Sequence, residues 1–173
     1  MLSRDQALQI LSEEGCSPSV IEHSKAVSRE SVKIAKKIRD NGHNVNIRLV
    51  EIGALLHDVG RSKTHSIQHG VKGAEILRKR GLENLAGFAE NHLGAGIIIE
   101  ESKELGLPEK NYLPESLEEK IVTYADNLLD GDRVMNYEES LNELKEELGP
   151  NHSGVRRFKK IHKEIQELTR KTN

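Results

Sequence analysis

At 173 residues, with 31% charged side chains, 3% aromatic and no Trp, the chain has the length of one domain and the composition of a helical protein with an aliphatic core, not of a sandwich or barrel. Its 26 Lys and Arg nearly balance 28 Asp and Glu, for a formal charge of -2, which excludes the broad cationic footprint of a nucleic-acid binder. The lone cysteine, Cys16, excludes an internal disulfide and a thiolate metal site, so any metal must be held by nitrogen and oxygen.

Along the chain, the first residues, Met1 to Gln6, lack the basic-then-apolar order of a secretory signal, and no apolar run approaches the ~18 residues of a membrane span. A cytoplasmic protein without a membrane partner is the expectation. Ser3 reads as the N-cap of a first helix that Gly15 ends, with Leu8, Ile10 and Leu11 on its apolar side. Ser17 followed by Pro18 opens a long helix to about Asn41. Val20, His23, Val27, Ile34 and Ile38 recur along it at helical spacing, which places His23 on the buried stripe.

From about Asn46 to Asp58, Val50, Gly53, Ala54 and His57 follow the same rule, and Val59-Gly60 leaves His57 and Asp58 at the helix end. A helix from about Gly70 to Arg80 has His69 at its entrance, and another from about Leu85 to His92 ends on an imidazole before Gly94 and Gly96. The stretch from Gly94 to Pro114 reads as loop. A helix from about Glu115 to Leu129 turns Asp126 inward or nearly so, and helices near 137–148 and 153–169 complete an all-α chain of about seven to nine helices. The last is amphipathic enough to pack on its own chain or on a second copy. No strand-like alternation of useful length is present.

Imidazole and carboxylate are expensive on apolar stripes, and a divalent cation explains that placement. If each oxygen of Asp58 met a different cation, the carboxylate would bridge a pair about 3.5–4 Å apart, the spacing of two-metal hydrolases. His23, His57 and Asp126 would then hold one ion, and His69 and His92 the other. Water between them, deprotonated near neutral pH, could attack phosphorus.

The order His23, then His57-Asp58 within Leu55-Leu56-His57-Asp58-Val59-Gly60-Arg61, then Asp126 within Tyr124-Ala125-Asp126-Asn127, resembles the HD-domain metal-dependent phosphohydrolases. The resemblance runs over residues 20–133 and implies an HD-type helical bundle, with 1–173 read as one domain. His69 and His92 resemble the extra histidines of the dinuclear branch, and the whole pattern is most similar to a stand-alone archaeal HD family. Many dinuclear relatives carry Lys where this chain has Arg61, and often Lys in place of Asn127. Arginine can hold phosphate bidentately but cannot shuttle a proton, because its pKa exceeds ~12. Arg61 is therefore assigned to substrate binding, with Lys63 as a weaker helper, His65 within reach from its loop, and Arg133 on the Asn127 side.

For any single helical histidine, a satisfied core residue is the commoner explanation; six residues in family order outweigh it. His43, His152 and His162 lie in polar surroundings and read as surface residues. Gly94 and Gly96 follow no strand, so they read as helix terminators and not a phosphate loop. The run Arg156-Arg157-Phe158-Lys159-Lys160 is followed by Glu164 and Glu167 and reads as a solvated face, so nucleic acid is a disfavoured partner.

The expected function is hydrolysis of a small phosphorylated molecule, a nucleotide first, through hydroxide on one or two divalent ions (Mn, Fe, Co, Ni or Zn), with Asp58 at the catalytic centre. Two alternatives stand beside it: a metal-stabilised regulatory or binding module without turnover, and, more remotely, a di-iron oxygenase.

Overall fold

The computed structural model describes residues 2–170. Nine helices occur among them: α1 (Arg4–Glu13), α2 (Pro18–Asp40), α3 (Ile47–Leu56), α4 (His69–Lys79), α5 (Glu83–Glu90), α6 (Ile99–Glu104), α7 (Leu117–Asn127), α8 (Tyr137–Leu148) and α9 (Ser153–Thr169). A single 3-10 turn, Val59–Ser62, follows α3, and two short antiparallel strands, β1 (Leu129–Asp130) and β2 (Arg133–Val134), follow α7. The fold is the all-α bundle expected.

Local chemistry starts most helices where the sequence says it should. The Ser3 hydroxyl accepts from the Gln6 amide while the Gln6 side chain accepts from the Ser3 amide, a closed capping box. Ser17, Asn46, Ser116 and Asn136 cap α2, α3, α7 and α8 in the same way, each accepting from the amide three residues on. An N-cap of this kind stabilises a helix by about 1 kcal/mol.

The core is the aliphatic one that composition requires: Leu11, Val27, Ile38, Val50, Leu55, Leu56 and Ile121 have no exposed surface. Each side chain so buried contributes about 1.5–3 kcal/mol, so a Leu55→Ala change would cost about 2–5 kcal/mol. Gly53 lets α3 approach α5 closely, since a methyl at that position would fall on the Phe88 ring. Helix α9 lays Val155, Phe158, Ile161 and Ile165 on this same core.

Three features depart from the linear reading. The stretch 94–114 contains α6, whose first turn is closed by Glu101 accepting from the Ile98 amide, and Ile97 and Tyr112 exchange backbone hydrogen bonds at 2.9 and 2.7 Å. Six residues are too few to show a helical period in sequence. The β1–β2 ribbon turns at Gly131, whose φ of 62° is the positive value a two-residue hairpin needs at its first central position. His162 is not a surface residue: it is half-buried, stacked on Tyr137 with ring centroids 3.3 Å apart, and its Nδ1 lies 2.7 Å from the Tyr124 hydroxyl.

Candidate metal centre

Five helices deliver the site. His23 projects from the second turn of α2, His57 caps the C-terminus of α3 with Asp58 next to it, His69 begins α4, and His92 follows the end of α5. Asp126 is the penultimate residue of α7. The C-terminal ends of α3, α5 and α7 thus face one point, where their unpaired carbonyls create a negative potential that favours a cation.

The four imidazoles are oriented by one device. Nδ1 of His57, His69 and His92 each lies 2.7 Å from the carbonyl oxygen three residues earlier, that of Ala54, Ser66 and Ala89. Nδ1 of His23 lies 2.6 Å from the Gly131 carbonyl, in the turn of the β1–β2 ribbon. With Nδ1 donating, a neutral ring carries its lone pair on Nε2, and all four Nε2 atoms point inward.

What they point at is a pair of carboxylates. Asp126 Oδ1 is 2.9 Å from His23 Nε2 and 3.3 Å from His57 Nε2. Asp58 Oδ2 lies 3.8 Å from the same two nitrogens. Its other oxygen, Oδ1, lies 3.2 Å from His69 Nε2 and 3.4 Å from His92 Nε2, which are themselves 3.1 Å apart. Asp58 therefore stands between two histidine pairs and offers one oxygen to each.

The arrangement fits a metal on its own geometry. His57 Nε2 and Asp58 Oδ1 are buried side-chain atoms without a hydrogen-bond partner, a costly state that a cation between them relieves. His23, His57 and Asp126 present ligand atoms within one ion's reach, and so do His57, Asp58 and His92. His57 and His92 are completely enclosed or nearly so, with exposures of 0% and 4%. His23 and Asp126 are partly open, so the cluster has a solvent-facing side.

Electrostatics agree. Burial opposes charge on His57, but Asp58 and Asp126 overcome it and lift the imidazole to about 9. Burial likewise works against ionised Asp58 and Asp126, and the surrounding imidazoles reverse it, holding both carboxyls well below the usual range. Burial dominates at His92 and lowers it. Without a cation the carboxylates draw protons onto neighbouring rings; a metal would replace those protons.

Of the four side chains expected to contact substrate, Arg61 is nearest the cluster. Its Nε donates to Asp58 Oδ2 at 2.6 Å, and the side chain lines both clefts that open onto the histidines. His65 is exposed and lines one of these with His23 and Asp58. Lys63 is turned toward Glu14, 3.3 Å from its carboxylate. Arg133 pairs with Glu139 at 2.9 Å and Asp130 at 3.4 Å on the outside of the ribbon.

Several contributors carry no sequence signal. The Gly131 carbonyl holds His23 from a turn 108 residues away. Gly60 lets the 3-10 turn press on the start of α4, for a methyl there would collide with the His69 carbonyl and the Gly73 amide. Asn127 donates to the carbonyls of Gly94 at 2.6 Å and Thr123 at 2.8 Å, tying α7 to the segment after His92. Glu143 and Glu147 of α8 line the cleft beside His23 and Asp126.

Known proteins place this architecture. The HD domain of the L. monocytogenes phosphodiesterase PgpH, solved in complex with cyclic-di-AMP, superposes with a TM-score of 0.55 at 15% identity, over 96% of this chain and 98% of that one, which is a likeness of fold. An uncharacterized protein of Methanocaldococcus jannaschii is 48% identical over 95% of this chain and 97% of its own length. Proteins named tRNA (cytidine(56)-2'-O)-methyltransferase from Picrophilus torridus and Thermoplasma volcanium are each 41% identical, and the chain spans 46% and 44% of their lengths, somewhat less than half. No described helix is long and apolar enough to cross a membrane. The HD domain family model matches residues 20–130, a stretch that begins before His23 and ends after Asp126, and the chain accordingly belongs to the HD domain family.

Proposed function

We propose that the protein is a metal-dependent phosphohydrolase acting on a small phosphorylated molecule, a nucleotide, with two divalent ions shared by one carboxylate. The observation that carries this reading is the division of Asp58, with Oδ2 toward His23 and His57 and Oδ1 toward His69 and His92. His23, His57 and Asp126 would hold one ion, His69 and His92 the other, and Asp58 both. Bound there, the ions would supply Lewis-acid stabilisation of phosphoryl oxygens and a water acidified toward neutral pH.

The chain's own groups do the rest. Arg61 uses Nε on Asp58, and its side chain lines the open cleft, where its remaining N–H groups would hold phosphate oxygens. His65 lies along the same cleft, while Lys63 and Arg133 stand outside it, paired with Glu14 and with Asp130 and Glu139. Enclosure of His57, Asp58 and His92 excludes bulk water and strengthens each electrostatic contact at the reacting group. The six ligands suit Mn, Fe, Co, Ni or Zn.

The test is phosphate release by metal-loaded protein from mono-, di- and triphosphates, cyclic nucleotides and dinucleotides. Activity lost in Asp58→Ala, with circular dichroism unchanged, is the expected result. Protein carrying two ions but inert on every compound would reject the reading, and oxygen uptake without phosphate release would redirect it to a di-iron oxygenase.

A second reading, a metal-stabilised binding module without turnover, is favoured by one observation. Nearly the whole chain aligns with part of two proteins named for tRNA methylation, so the unit shares a polypeptide with an RNA-modifying activity there. Salt-sensitive tRNA binding by the isolated chain, with no phosphate release, is its expected signature.

A further inference from the structure

Beside the metal cleft lies a separate cavity of about 380 Å³, between the segment 93–105 and helices α8 and α9. Its volume is in the range of small-molecule sites. Leu93, Ile97 and Leu144 form buried walls. Ile67, Leu105 and Leu148 stand around its mouth, and these are three of the five large apolar side chains that the described residues leave exposed. The cavity and the cleft containing His23, Arg61 and Asp126 share Asn127, Leu144 and Glu147, so the two spaces adjoin.

Charge around the two spaces is unequal. On the Asp58 side stand Arg61 and His65. On the α8 side stand Glu143 and Glu147, with Glu104 at the far rim, and no described cation pairs with any of the three. The cation lining the cavity, Arg157, has its charge compensated by Glu101 at 2.6 Å, yet its Nε–H is buried without an acceptor. A polyanion extending from the metal cleft into this space would meet three carboxylates. An uncharged flat group would meet apolar walls and the carboxylate acceptor of Glu147.

We propose that this cavity is the leaving-group subsite of the metal cleft, and that it seats the neutral heteroaromatic base of a substrate carrying a single phosphate. The inference rests on the phosphohydrolase reading for the position of the phosphate, and on the cavity's own walls for the base. It selects nucleoside monophosphates over the di- and triphosphates, cyclic dinucleotides and linear dinucleotides that a metal pair alone would accept.

Binding and turnover test the two parts separately. Nucleosides lacking phosphate (adenosine, guanosine, cytidine and uridine) are titrated into full-length protein by calorimetry or by amide shifts in NMR. At least one is expected to bind, to shift amides in the segments 93–105 and 144–157, and to bind at least tenfold more weakly to Leu148→Glu with its circular dichroism intact. Failure of all four to bind the wild type, or undiminished binding to Leu148→Glu and to a second variant, Leu105→Glu, overturns the proposal. In parallel, kcat/KM is expected to be at least tenfold higher for the monophosphate of the bound nucleoside than for its triphosphate; the reverse order also overturns it. If no phosphate is released from any compound while nucleoside binding is seen, the hydrolase reading fails and the subsite stands. A wild-type dimer that Leu148→Glu dissociates would make the cavity a contact between copies and reject its assignment to a ligand.

Discussion

Arg61 donates its Nε to Oδ2 of Asp58, three residues earlier, at 2.6 Å, so the one arginine at the cleft is built into the carboxylate that stands between the two histidine pairs. The 3-10 turn from Val59 to Ser62 makes this possible, because it brings the two side chains to the same side of the chain. Arg61 is two-thirds covered, and its side chain lines both open clefts. Loss of a charge-assisted contact of this kind amounts to about 1.5–3 kcal/mol. Arg61→Ala should therefore retain both metal ions and lower kcat/KM for a phosphate ester by roughly tenfold or more. Steady-state kinetics and elemental analysis of the same preparation check this; metal loss in place of lost turnover would mean that Arg61 serves only to hold Asp58.

Asp58 and His92 should differ in what their removal takes away. His92 approaches Asp58 at Oδ1, so His92→Ala is expected to reduce two bound equivalents to one. Asp58 contributes an oxygen to both halves, so Asp58→Ala should weaken both. Inductively coupled plasma analysis after dialysis against limiting metal separates the two patterns. One tightly held equivalent in Asp58→Ala would contradict the bridging role.

Gly60 is predicted to be intolerant of even one methyl group. The Cβ would overlap the backbone of His69 and Gly73, neither of which can rotate away. Gly60→Ala should destabilise the fold by about 2–3 kcal/mol or more and loosen the His69–His92 half of the centre ahead of the rest. Thermal melts followed by circular dichroism, with and without added metal, measure both effects. A melting point unchanged from wild type would show that α4 can shift without cost.

His162 should make stability depend on pH. Burial lowers its pKa, with Tyr137 stacked on one side and the Tyr124 hydroxyl at Nδ1. In the unfolded chain a histidine takes up a proton near ~6.5, whereas in the folded protein it resists doing so. The neutral form's contribution is therefore fully present above ~6.5 and is lost as pH falls from there through the folded value. His162→Phe keeps a ring on Tyr137 but removes the titration. Its melting temperature should fall less than that of wild type between about pH 8 and about pH 5. Parallel curves for the two proteins would refute the assignment.

Metal removal should be felt by the whole molecule. Five helices meet at the cluster, so an ion bound only by the folded state stabilises it by about 2.7 kcal/mol when present at a hundredfold excess over Kd. Chelation should lower the melting temperature, and the drop should vanish when His57 and Asp58 are both replaced. An equal drop in that double variant would locate the effect elsewhere.

The sequence determined much of this protein by itself. Local interactions mark the long helix from Ser17 and Pro18 and the stripe of Val20, His23, Val27, Ile34 and Ile38, because capping and a 3.6-residue period act between near neighbours. Five of the six His and Asp residues stand out because they fall on or at the end of apolar stripes, and the order of all six in the chain matches a family pattern. Arg133 and Lys63 show the limit of that argument, for being basic and near the motif in sequence does not bring a side chain to the cleft. Tertiary structure decided the remainder. Which oxygen of Asp58 faces which histidine pair depends on how α2, α3, α4 and α5 cross, and the hold of Gly131 on His23 spans 108 residues. Helix α6, the stacking of His162 and the cavity under α8 likewise come from contacts between distant segments, whose energies reside in packing and not in the order of residues along any one stretch.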